Sequence, residues 1–174
     1  MDKIRRLDAE ELRTWRSLLV ANRLLFERVE HQLRQAAGLP HSYFDILSRL
    51  CEAPERRLRM SELAANSQSS PSRLSHAVAR MEEAGWVRRL ACTTDRRAQF
   101  AELTDAGFQR LESAASGHVE EVRSLLFDVL SPQQQRALRE ISDATADGIA
   151  GRALSERAAG RIRRDSSGPT DSAW

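Results

Sequence analysis

The chain has 174 residues, 41% of them apolar and 30% charged, and a formal net charge of +2. That length supports a single domain with a real core, and the near-neutral balance excludes a histone-like polycation. No apolar run approaches the ~20 residues needed to span a bilayer, and the charged segment Met1–Glu11 lacks the apolar core of a signal peptide, so a soluble, cytoplasmic protein is expected. Cys51 and Cys92 fit a reducing compartment without a disulfide framework. The histidines at 31, 41, 76 and 118 are scattered and no Cys/His cluster has metal-ligand spacing, so neither metal nor cofactor is expected. Lys3 is the only lysine, which leaves the cationic side to arginine. Arginine makes planar, bidentate contacts to phosphates and guanine edges. A G+C-rich coding sequence accounts for the total; the placement of particular arginines is more informative.

In chain order, residues 8–37 form a long helix, with Leu12, Trp15, Leu18, Leu19, Leu25, Phe26, Val29 and Leu33 at helical spacing and Gly38 and Pro40 as the stop. A second helix fits 41–52, with Tyr43, Phe44, Ile46, Leu47 and Leu50 apolar. Arg56–Met60 reads as a short connection or edge strand. Ser61 is placed to cap a short helix, Glu62–Asn66, and Ser67–Ser69 to form a turn. Ser70 then caps a helix opened by Pro71, which runs to about Ala84 and ends at Gly85. A β-hairpin follows over 86–103. Thr104 or Asp105 caps the next helix, which extends to about Val129, and Ser131-Pro132 opens the last, whose apolar stripe fades beyond Ile149. From about 155 the composition has almost nothing to bury and reads as a disordered tail.

The fold class is therefore mainly α with a small β-hairpin wing. A helix-turn-helix and its wing occupy about 56–103, and long helices at about 8–52 and 104–150 suggest a dimerisation bundle within one domain over 1–154. In the helix 70–84, Leu74, Ala77, Val78 and Met81 share one side and should pack on Leu63 and Ala64. Ser72, Arg73, His76 and Arg80 share the other, with no acidic residue before Glu82. Short polar side chains near the helix start permit close approach to base edges, Arg73 suits a guanine or a phosphate, and the amides at Ser70 and Ser72 point toward phosphate. Asp95, Arg96 and Arg97 sit between the β-like runs Trp86–Cys92 and Ala98–Leu103, as a basic finger. A polar helix face alone is usually solvated, and an Asp-containing tip alone is often a plain turn. The two in succession point to DNA.

Leu63-Ala64, Ser70 to Gly85, Val87-Arg88-Arg89, and Asp95-Arg96-Arg97 leading into Leu103-Thr104-x-x-Gly107 resemble the multiple-antibiotic-resistance regulator (MarR) family over roughly residues 8–150. The resemblance implies a winged helix-turn-helix homodimer with interlaced terminal helices, in most members a transcriptional repressor released by small ligands or by oxidation. By resemblance Arg97 is the wing arginine that enters the minor groove, Asp95 the acidic residue that orients the tip, and Arg96 a phosphate contact. The resemblance places Ser70, Ser72, Arg73, His76 and Arg80 on the exposed face of the recognition helix. The partner is double-stranded DNA, a pseudo-palindrome with half-sites about one helical turn apart.

For small ligands the family implies a crevice between the dimerisation helices and the DNA-binding lobe. Trp15, Arg16, His41 and Phe44 could line it and accept an aromatic or amphipathic compound. Trp15 also fits a core or dimer interface, Arg16 a solvated face, and His41 a helix cap. Cys51 reads as a structural thiol, and Cys92, near Arg88 and Arg89, as a possible redox site. An enzyme is not expected, since no nucleophile–base pair or Gly-rich phosphate loop is present. An activator, a redox-responsive or ligand-independent regulator, and a protein-binding winged helix remain as alternatives.

Overall fold

The computed structural model describes residues 6–67, 69–91 and 99–165, with side chains to 152. It divides into two compact units, residues 1–125 and 126–174. The first unit opens with α1 (Ala9–Ala37), capped by a reciprocal pair: Asp8 accepts the Glu11 N–H at 2.8 Å, and Glu11 accepts the Asp8 N–H at 2.9 Å. Gly38 ends it in the left-handed region (φ 56°). α2 (His41–Glu52) follows at once, and its first N–H, on His41, donates to Glu30 of α1 at 2.8 Å. A helix start has orphan N–H groups, and here the neighbouring helix supplies the acceptor.

β1 (Arg57–Arg59), α3 (Met60–Asn66), α4 (Pro71–Glu83), β2 (Val87–Ala91), β3 (Gln99–Leu103) and α5 (Asp105–Val122) come next. The sheet is antiparallel in the order β1-β3-β2, so the segment expected as a connection or edge strand is an edge strand. α3 starts two residues earlier than expected. Arg59 rather than Ser61 precedes it, and the Glu62 carboxylate reaches back to the Arg59 N–H at 3.4 Å. This is a mainly helical winged helix-turn-helix with a small three-stranded sheet.

The core draws Val29, Leu33 and Ala37 from α1, Ile46, Leu47 and Leu50 from α2, and Leu63, Ala64, Leu74, Val78 and Met81 from the α3–α4 pair. Leu74, Val78 and Met81 are at most 1% exposed, as the helical spacing of the apolar face requires. The N-terminal half of α1 differs. Trp15, Leu18 and Leu19 fit the helical stripe yet remain about half exposed (49%, 47% and 48%). Cys51 is half-buried.

One joint ties the wing to the rest. Thr104 caps α5: its Oγ1 accepts the Gly107 N–H at 3.0 Å and donates to the Gly85 carbonyl at 2.7 Å. The Thr104 N–H donates to the Trp86 carbonyl at 3.0 Å. A Cβ on Gly107 would collide with the Trp86 carbonyl oxygen and stand 2.8 Å from Leu103 Cδ1. The Leu-Thr-x-x-Gly run is thus a packing joint between β3, α5 and the turn after α4.

α5 is α-helical only to Val122, short of the expected Val129, and a π-helical turn (Arg123–Phe127) completes it. In the second unit α6 (Pro132–Asp165) begins as expected, with Ser131 Oγ accepting the Gln134 N–H at 3.3 Å and Gln134 accepting the Ser131 N–H at 2.9 Å. Its backbone stays helical to Asp165, past the point where the composition suggested a tail. Leu138, Ile141 and Ile149 are exposed along it. No helix among the described residues is long and apolar enough to cross a membrane.

The Thr104 joint predicts a stability pattern. Gly107→Ala forces a side chain against backbone that cannot swing away, so it should cost about 3 kcal/mol and lower Tm by about 6–12 °C. Thr104→Val loses only the cap and its bond to Gly85, and should cost about 1–2 kcal/mol. Thermal denaturation followed by circular dichroism checks both; an unchanged Tm for Gly107→Ala would contradict the close approach.

Candidate nucleic-acid interface

α4 owes its start to Ser70, whose Oγ accepts the Arg73 N–H at 3.3 Å, with Pro71 at the first helical position. The cap fixes the entry of the chain and turns Ser72, Arg73, His76 and Arg80 away from the buried face. All four, and Ser70 itself, are exposed. Arg80 meets Glu83 at 3.7 Å across open solvent, an ion pair too exposed to hold the guanidinium in place. The structure therefore brings the five recognition-helix candidates onto one accessible surface. The tip residues Asp95, Arg96 and Arg97, and Cys92, lie outside the described residues.

The strands that carry the tip have their own charge pattern. Arg88 lies opposite Glu102 in the β2–β3 register and pairs with it at 2.5 Å, so its charge is already met. Arg89, on the other face of β2, turns toward α4: its guanidinium donates to the Ser75 carbonyl at 2.7 Å. On the edge strand, Arg57 and Arg59 flank Leu58 and stack over the Phe100 ring, with centroid distances of 5.9 and 5.5 Å. Arg59 is opposite Phe100, nearer the tip end of β3, whereas Arg57 is opposite Glu102 and pairs with Glu55 at 2.5 Å. The sequence reading passed over Arg57 and Arg59. Their signal was the alternation Arg-Leu-Arg, which at the strand period of two puts both guanidinium groups on one side.

The ligand-site candidates are only partly assembled. His41 and Phe44 are half-buried and belong to an aromatic cluster: Phe26 meets His41 edge-on at 5.9 Å, Phe44 packs on His118 at 4.4 Å, and the two imidazoles are 6.2 Å apart. His118 of α5 is the member that the sequence reading missed, because its approach to α2 is a tertiary fact. Trp15 and Arg16 are exposed, and eleven residues of α1 separate Trp15 from Phe26, about 16 Å along the axis. The chain on its own does not bring them to His41 and Phe44. Beside this cluster Glu30 is partly buried, which raises its pKa. Hydrogen bonds from the His41 N–H and Arg34 outweigh that and hold the carboxyl below its usual range. His118 is pushed below the usual imidazole value, first by burial and then by His41, and its Nδ1 is buried without a hydrogen-bond partner. Among the described residues no group of histidine, cysteine and acidic side chains could hold a metal ion.

A capped helix with one polar face, preceded by a short helix and followed by a two-stranded wing, defines a winged helix-turn-helix protein. Comparison with known proteins narrows this. The MarR family model matches residues 37–98. Sco3205 of Streptomyces coelicolor, a MarR family transcriptional regulator whose crystal structure is in complex with DNA, is 51% identical, over 83% of this chain and 91% of that one, with a TM-score of 0.81. The transcriptional repressor YetL of Bacillus subtilis is 26% identical over 79% of this chain and 81% of its own length. The regulator PecS of Dickeya dadantii is 33% identical over 111 residues, and this chain spans 64% of its length, a little under two thirds. The chain belongs to the MarR family of transcriptional regulators.

The depressed His118 gives a signed pH dependence. The folded chain holds this proton less tightly than the unfolded chain, so the contribution is full above the unfolded value near 6.5 and is lost as pH falls through 6.5 toward the folded pKa. Tm should therefore drop on acidification from pH 7 to 5.5, and His118→Asn should flatten that segment. Glu30 acts in a separate window, below its usual 4.5. Equal slopes for wild type and His118→Asn would show that the imidazole keeps its ordinary affinity for protons.

Proposed function

We propose that this protein is a homodimeric, sequence-specific repressor of transcription, released from DNA by a small aromatic or amphipathic ligand. The observation that carries the reading is the two-sided character of α4. Leu74, Val78 and Met81 are sealed in the core, while Ser70, Ser72, Arg73, His76 and Arg80 are exposed on the opposite side. A surface that is short-chained at the helix start and cationic beyond suits the major groove, with Arg73 reading a guanine edge or clamping a phosphate. Arg97 would reach the minor groove, Arg96 a phosphate, and Asp95 would hold the tip in shape. A regulator of this kind represses by covering its operator, and YetL, a relative, is named as a repressor.

The dimer reading rests on the apolar stripe of α1, where Trp15, Leu18 and Leu19 are half exposed. A contiguous apolar patch of that kind is a protein-contact surface. A second chain would cover it, and would be the means of bringing Trp15 and Arg16 near a partner's ligand cluster. His41, Phe44, Phe26 and His118 offer aromatic walls and imidazole N–H groups to an anionic aromatic ligand.

Gel-shift titration at fixed salt on the intergenic DNA upstream of its own gene tests the function. Arg97→Ala and Arg73→Ala should each weaken binding at least about tenfold, with the dimer intact by sedimentation. Unchanged affinity for both would sink the interface. For the dimer, Leu18→Glu with Leu19→Glu places two charges in the stripe and should shift the sedimentation coefficient to that of one chain; a persistent dimer would remove α1 from the contact.

A further inference from the structure

We propose that Arg89 is a positioning residue that latches the wing to the recognition helix at two points, setting the angle between them without itself touching DNA. The inference rests on the reading of α4 as the DNA-reading helix. Arg89 lies on β2, where the pleat sends it to the face opposite the Arg88–Glu102 pair. Its backbone N–H donates to Glu82 Oε1 at 3.0 Å, and its guanidinium reaches the Ser75 carbonyl at 2.7 Å and the Ser75 Oγ at 3.4 Å. The Arg89 Nε faces the same carboxylate, 3.7 Å from Glu82 Oε2.

Ser75 and Glu82 are seven residues apart on α4, two turns or about 10 Å along one side. A single contact between strand and helix would be a pivot; two contacts so far apart define an orientation. Arginine is suited to this, because its planar fork reaches a helical carbonyl at one end while the stem lies along the helix. Only 27% of the Arg89 side chain is exposed, against 74% for Arg80 on the reading face. The side chain is spent on protein contacts, and the polar face of α4 is left accessible to DNA.

Sign separates this role from a direct contact. Glu82 is a carboxylate beside a surface that must approach phosphates, so on Coulomb grounds alone its removal should tighten DNA binding. The latch predicts the reverse. Binding of Arg89→Ala, Glu82→Ala and Glu82→Gln is measured against the duplex upstream of the gene and against a random duplex, over a salt series. Both alanine variants should lose about tenfold or more in affinity for the specific duplex. They should bind the random duplex as the wild type does and keep its salt slope. Glu82→Gln, which preserves the acceptor for the Arg89 N–H, should recover most of the loss. A slope lower by about one for Arg89→Ala would make it a phosphate contact and overturn the proposal. Unchanged or tighter specific binding by Glu82→Ala would overturn it too. Equal losses on both duplexes would indicate damage to the fold rather than to an angle, and would also overturn it. If Arg89→Ala does not fold, the Glu82 pair, at a 42% exposed side chain, carries the test. A wild type with no preference for the specific duplex would instead defeat the DNA-reading assignment, and the latch with it.

Discussion

The lack of room at Gly107 constrains most of what surrounds it. The Trp86 carbonyl occupies the space a side chain would take, and Thr104 bonds at once to Gly107, Gly85 and Trp86. Three elements meet there: the turn that ends α4, the last residue of β3 and the first turn of α5. The wing therefore leaves the protein from a rigid base rather than from a hinge. An arginine cradle reinforces the same corner, since Arg110 of α5 stacks over Trp86 and donates to the Ala37 carbonyl at the end of α1. Burial of neutral side chains and satisfaction of helix-end groups do this work without a single buried charge among the described residues.

From that base the charges divide into two populations. Arg88 and Arg89 meet acidic or carbonyl partners within the wing and against α4, and Arg57 meets Glu55. Arg73, by contrast, stands in solvent on the reading face, and Arg80 beside it has only an exposed contact with Glu83. Arginines equally visible in composition thus serve opposite purposes. Those held by partners give shape, and those left in water remain available to neutralise phosphates and so release the counterions condensed on DNA. The near-neutral net charge of the chain conceals this local separation.

The periodic features were legible beforehand. Ser70 and Thr104 are caps because hydroxyl side chains at those positions have N–H groups within reach, a relation that spans three residues. The buried side of α4 followed from the helical repeat, and the pairing of β2 with β3 from two short runs separated by a tip. The start of α3 was misplaced because Ser61, two residues beyond Arg59, is the better capping residue by type, and Glu62 decided otherwise by bonding to the Arg59 N–H. The same periodicity marked Trp15, Leu18 and Leu19 as a stripe but could not say whether the chain itself buries them. It does not.

By itself the sequence determined most of what depends on neighbours along the chain: the caps that open α4 and α6, the glycines that end α1 and α4, the two faces of α4, the motif of the family, and the arginines that compete for DNA. The tertiary structure alone decided which of those arginines are already engaged, that His118 joins His41 and Phe44, and that Arg89 spans two turns of α4. The physical reason is range. Caps and periodicity act over three or four residues, where backbone geometry leaves few choices. Partners such as Arg89 and Ser75, fourteen residues apart, or Phe44 and His118, on different helices, meet only because core packing orients the elements that carry them.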